Sequence, residues 1–146
     1  MNCARIVSLV FTVLCASALL TASPVQAATE MDRAFERLEK DFKKLRDALE
    51  APQAADRDQY AKLADDMLAE ARKARELDPE MTPNVPQAQR AQFLEHFRRD
   101  MDTFIENIGK LSEALKNSKW DEARQLMEAL RLDKKEGHKA YREKKK

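Results

Sequence analysis

Leu126-Met127-Glu128-Ala129-Leu130-Arg131-Leu132-Asp133-Lys134-Lys135-Glu136-Gly137-His138-Lys139-Ala140-Tyr141-Arg142 is rich in charge, yet it keeps a helical stripe. Taken back to its start, the stripe runs Trp120, Ala123, Met127, Leu130, Lys134, His138 and Tyr141, at steps of three and four. That spacing puts side chains on one inclined helix face. An imidazole on such a face is either a packed core residue or a metal ligand.

The chain before it has the same character. Asn117-Ser118-Lys119 is a tight turn, with Ser118 and Asp121 spaced as a capping box for the last helix. The turn is short, so the helix before it must be an antiparallel neighbour. That helix is expected from about Pro86 to Leu115. Its face, Phe93, Phe97, Met101, Phe104, Ile105, Ile108, Leu111 and Leu115, is the strongest apolar one in the chain. Gly109 inside it costs stability against alanine and suggests a close approach. A first helix over Thr29–Leu49 carries Met31, Phe35, Leu38, Phe42, Leu45 and Leu49 on one face, with Thr29 as its N-cap. A second over Asp56–Leu77 carries Tyr60, Leu63, Ala64, Met67, Ala71 and Ala74, a thin stripe that lets a neighbour come close. Pro79, Pro83 and Pro86 mark a long crossover between two hairpins. Four amphipathic helices with no strand signal give an all-α, up-down-up-down antiparallel four-helix bundle. Neither half could bury its stripe alone, so residues 28–146 form one domain.

Composition removes several functions. The segment Met1–Ala27 reads as a secretory signal peptide: Arg5, an apolar run over Ile6–Leu20, and Val25-Gln26-Ala27 before the cut. Both cysteines, Cys3 and Cys15, lie inside it, so the mature chain has no disulfide and no covalent c-type haem motif. Removing Arg5 with the leader leaves 26 basic and 26 acidic residues. A neutral domain is not a nucleic-acid binder, and helices of mixed charge do not lie on membranes. His96 lies off the Phe93/Phe97 stripe and belongs in solvent. Two histidines without cysteine do not make a zinc site, and Lys135 stands where a di-iron bundle needs Glu. No nucleophile–base pair or glycine loop appears, so the protein is not an enzyme in the catalytic sense. Methionines on helical stripes are usually core filler.

Leu130, Lys134, His138, Tyr141 and Arg142, in that spacing, resemble the haem end of the cytochrome b562 family. Phe97-Arg98, Asp102, Ile108, Lys119 and Glu122-Ala123 fit the same third and fourth helices without gaps, and Leu38, Leu45, Met67, Ala71, Ala74 and Pro79 match in pattern. The resemblance covers essentially all of 28–146. It implies a monomeric periplasmic bundle that holds one non-covalent haem b at one end, with iron ligated by a Met of helix 1 and a His of helix 4. Such ligation suits electron transfer with a transient redox partner. It puts His138 on the iron, and Phe97, Met101, Met67 and Leu38 against the porphyrin. Arg142, with Lys134, falls where cations meet the propionates. At the methionine position this chain has Phe35, which cannot coordinate iron; Met31 lies one turn, about 5.4 Å, further along. Three outcomes stay open: iron held by His138 alone, haem displaced toward Met31, or a haem-free bundle in which Phe35 fills the space.

Overall fold

The computed structural model describes residues 24–142. Residues 1–23, most of the expected leader, and the basic tail after Arg142 lie outside the described residues. Four helices follow in order: α1 (Pro24–Ala48), α2 (Arg57–Arg75), α3 (Gln87–Lys116) and α4 (Trp120–Tyr141). Short 3-10 turns at Ala54–Asp56 and Thr82–Asn84 fill the first two connections. No strand occurs among the described residues, and no helix there is long and apolar enough to cross a membrane.

The four stripes meet in one core. α1 contributes Met31, Leu38, Phe42 and Leu45, with Leu49 just past its end, and α3 contributes Phe97, Met101, Phe104, Ile108, Leu111 and Leu115, all buried. α2 contributes Tyr60, Ala64, Met67, Ala71 and Ala74, four of them with no exposed surface. Burial of this kind, at about 25 cal/mol per Å² of apolar surface, is the main stabilising force. α1 packs on α2, α2 on α3 and α3 on α4; the α1–α4 seam is the sparse one. Trp120 meets Tyr60 edge-on at 6.0 Å and covers the end of the bundle remote from His138.

Helix ends depart from the expectations in instructive ways. α1 begins at Pro24, so Thr29 lies inside the helix and not at its N-cap position. Proline is well suited to a first helical position because it has no N–H to leave unpaired. A cut after Ala27 would trim the first turn and leave Met31 onward in place. α2 stops at Arg75, two residues early, where Glu76 and Leu77 turn in to Lys73 and Ala74 carbonyls at 3.1 Å each. Ser118 is not the start of a capping box. It ends α3: its φ is 55°, its N–H bonds the Leu115 carbonyl at 3.0 Å, and the Lys119 N–H bonds the Ala114 carbonyl at 2.9 Å. That pair of bonds is a Schellman stop, normally built on glycine. α4 then starts without any side-chain cap. Gly109 has open space where a Cβ would stand, so no close approach explains it.

Candidate functional site

α4 leaves the core as it runs. Ala123, Met127 and Leu130 are buried, Lys134 is half-buried, and His138 is exposed. The expectation of a buried His138 is therefore corrected. The α1–α4 seam widens here, so the same stripe that packs at Leu130 faces a cleft at His138. The cleft has a volume of about 390 Å³. Its floor and walls include Leu38, Phe97, Met101 and Phe104, with Met31 and Phe35 from α1. α4 lines the other side with Lys134, Gly137, His138, Tyr141 and Arg142. Pro79 and Glu80 of the crossover loop close one end.

Eight of the nine expected site residues share this cleft; Met67 does not. Met67 has no exposed surface, because α2 sits between α1 and α3 and its small stripe draws all three together behind the cleft. Sequence reading left out Asp32, Asp100 and Glu80, which also line it. They are charged residues at helix flanks or in a loop, and only the cross-helix register brings them in. Tyr141 was read as a neighbour of the site. Its hydroxyl donates to Asp100 Oδ2 at 2.5 Å, and its ring meets Phe93 and Phe97 edge-on at 5.4 and 5.1 Å. Its carbonyl accepts from the Met81 N–H at 3.4 Å. These contacts hold the last turn of α4 against α3 and the crossover. Desolvation, then the neighbouring Asp100, raises the Tyr141 pKa, so the phenol keeps its proton.

Polar side chains cross the seam at three heights. Arg142 Nη2 lies 3.4 Å from Asp32 Oδ1, Lys134 Nζ lies 2.6 Å from Glu39 Oε2, and Arg124 Nη1 donates to the Leu49 carbonyl at 2.9 Å. Descending α1 from 32 to 39 to 49 thus matches ascending α4 from 142 to 134 to 124. Antiparallel helices of equal rise keep such a register throughout. Interpolation puts Phe35 at the level of His138, and Met31 at the level of Arg142.

The imidazole makes no hydrogen bond within the described residues. Partial desolvation against the cleft wall, then the positive charges of Arg142 and Lys134, lowers its pKa from 6.5, with Glu39 opposing. It is held neutral, with a ring nitrogen free to act as a ligand. Lys134 also lies 5.1 Å from the Phe42 ring centroid, which anchors it at the cleft edge. Among the described residues the partners of Arg142 are loose, Asp32 at 3.4 Å and Glu80 at 3.9 Å. A Cβ on Gly137, beside His138, would meet nothing within 4 Å.

Residues 30–142 match the family described as Cytochrome b562. The chain belongs to the cytochrome b562 family. It is thus one of the helical-bundle cytochromes, which bind haem. A solved structure of cytochrome c prime from Alcaligenes xylosoxidans, a ferrous variant with bound NO, superposes with a TM-score of 0.67. It is 18% identical, and the match spans 85% of this chain and 98% of that one. At that identity it shows a shared bundle fold. No curated protein sequence matches.

The residues of this cytochrome b562-family cleft fit a haem. The slot is walled by Leu38, Phe97, Met101 and Phe104, as an apolar macrocycle requires. A neutral imidazole faces into it, and the missing side chain at Gly137 leaves room beside that imidazole. Two cations stand at the rim for carboxylates.

Proposed function

We propose that this protein carries one non-covalent b-type haem in the α1–α4 cleft and transfers electrons to a partner protein in the periplasm. The observation that carries the reading is His138. Its imidazole is unpaired, kept neutral by its surroundings, and placed over an apolar slot between two cations. When bound, the haem supplies the one-electron chemistry. His138 would hold the iron, Arg142 and Lys134 the propionates, and Leu38, Phe97 and Met101 the ring edges. Export by a leader ending at Ala27 belongs to the same proposal, and the mass of the mature chain tests it.

The function is tested by adding haem to purified protein and recording the Soret band. Wild type is expected to bind in a one-to-one ratio. His138→Ala should lose the band while keeping its helical circular dichroism. Equal, weak uptake by both proteins would remove the carrier reading. It would favour a second one, motivated by Phe35 at the level of His138: a haem-free binding or structural bundle with that ring in the vacated space.

A further inference from the structure

We propose that the α1 side of the cleft leaves one face of the haem iron open, and that this face takes a small neutral diatomic molecule such as carbon monoxide. The inference rests on the haem reading above and adds a ligand at the same site.

The register carries it. The Asp32–Arg142 and Glu39–Lys134 pairs fix α1 against α4 above and below the site. The residue they bring level with His138 is Phe35, which has no lone pair to give. Its neighbours along α1 do not replace it. Leu38 is apolar and 2% exposed. Asp32 and Glu39 lie at the levels of Arg142 and Lys134, about a turn to either side of His138. Met31 lies a full turn away, about 5.4 Å along the axis, and is packed into the core at 5% exposure. Moving its sulfur to the His138 level would slide α1 by a turn and break both cross-seam pairs. His138 would then be the one group of this seam to hold the iron, and the residue level with it on α1 is an apolar ring.

The same residues select the ligand. Phe35 and Leu38 offer no hydrogen-bond donor or charge at that level. The nearby cations, Lys134 and Arg142, stand on the His138 helix, where the propionates would occupy them. An anion entering there would give up its water without a partner, at a cost of several kcal/mol. A neutral diatomic gives up almost nothing. Phe35 is only half-buried, so its ring can yield space without opening the core.

The experiment is a carbon monoxide titration of the dithionite-reduced, haem-loaded full chain, followed by its absorption spectrum. Wild type is expected to be high-spin and to shift its Soret band with single-site saturation. Phe35→Met places a thioether at the empty level, so its reduced spectrum should turn low-spin. If the sulfur holds the iron in about nine molecules of ten, apparent carbon monoxide affinity falls about tenfold. A wild-type spectrum that is low-spin and silent to carbon monoxide would overturn the proposal. If Met31→Leu or Met101→Leu then turned it high-spin, the sulfur that fills the face would be identified. Failure of wild type to take up haem removes the carrier reading and this one together; a haem-loaded protein silent to carbon monoxide removes only this one.

Discussion

The bundle has one tight seam and one open one. Between α2 and α3, Ala64, Ala71 and Ala74 face Ile108 and Leu111 with no exposed surface on any of them. The rim of that seam is stitched by Ser112 Oγ donating to Asp65 at 2.6 Å and by a two-pronged Arg75–Asp102 pair at 2.5 and 2.9 Å. Between α1 and α4 the facing residues are large: Phe35 and Phe42 against Lys134 and His138. Long charged side chains span the gap without filling it, and a cleft remains at the His138 end. A second, smaller one of about 220 Å³ lies toward the other end, over Phe42, Leu49 and Met127. Small residues let two helices touch; bulky and charged ones hold two helices apart. The protein puts its closest packing opposite its site, so that the open seam does not have to hold the fold together.

The sharpest test of this contrast is a pair of truncations. Leu111→Ala in the closed part should cost about 2–5 kcal/mol, because the removed atoms leave a cavity that cannot collapse. Phe35→Ala at the open seam should cost clearly less in the haem-free protein, since part of that ring is already in water. Urea unfolding of both variants decides; equal losses would mean the α1–α4 seam is packed as tightly as the other.

Additions should behave in the opposite sense. Ala71→Leu forces a side chain into the closed seam and should destabilise by about 1–3 kcal/mol. Gly137→Ala meets open space and should stabilise the haem-free protein by about 0.5–1 kcal/mol through the lost freedom of the unfolded chain. Its methyl group then takes up space in the cleft that Gly137 lines, so haem affinity should fall. Thermal melts with a parallel haem titration separate the two effects; unchanged haem affinity would show that the space beside His138 is not used.

The smallest effect is one of pH. The folded-state pKa of His138 lies below 6.5, so below pH 6.5 the unfolded chain binds the extra proton first. The contribution of His138 to stability is therefore fully present above pH 6.5 and is lost as pH falls through the lowered value. His138→Gln should flatten the part of the stability curve just below pH 6.5. Haem uptake should likewise persist somewhat below pH 6.5 before protonation competes for the ring nitrogen. A slope identical in the variant would mean that the imidazole is fully solvated.

The fold was legible because its signal is periodic. Leu38, Leu45, Met67, Ile108, Leu111 and Leu130 recur at helical spacing, and all are fully buried or nearly so. The Ala stripe of α2 announced its close neighbour in the same way. Chain ends were less legible. Ser118 carries the spacing of a cap, but a residue with φ of 55° serves the helix behind it, and nothing in side-chain chemistry separates those roles. The site was half legible. His138, Tyr141 and Arg142 do line one cleft, whereas the exposure of His138 was not legible, because the stripe gives direction and not distance to the facing helix. Asp32, Asp100 and Glu80 carried no local signal: they matter only through partners 110, 41 and 62 positions away, Arg142, Tyr141 and Arg142 again.

The pinning of Tyr141 has a consequence for the order of assembly. One wall of the cleft comes from residues 31 to 38 and the other from residues 134 to 142. Synthesis delivers the first wall well before the second. The cleft therefore cannot close until α4 exists, and the contacts that seat its last turn, Tyr141 on Asp100 and on the Met81 N–H, join early parts of the chain to a late one. A chain cut before residue 138 would lack both the proposed haem ligand and that clasp, and its first wall would face water.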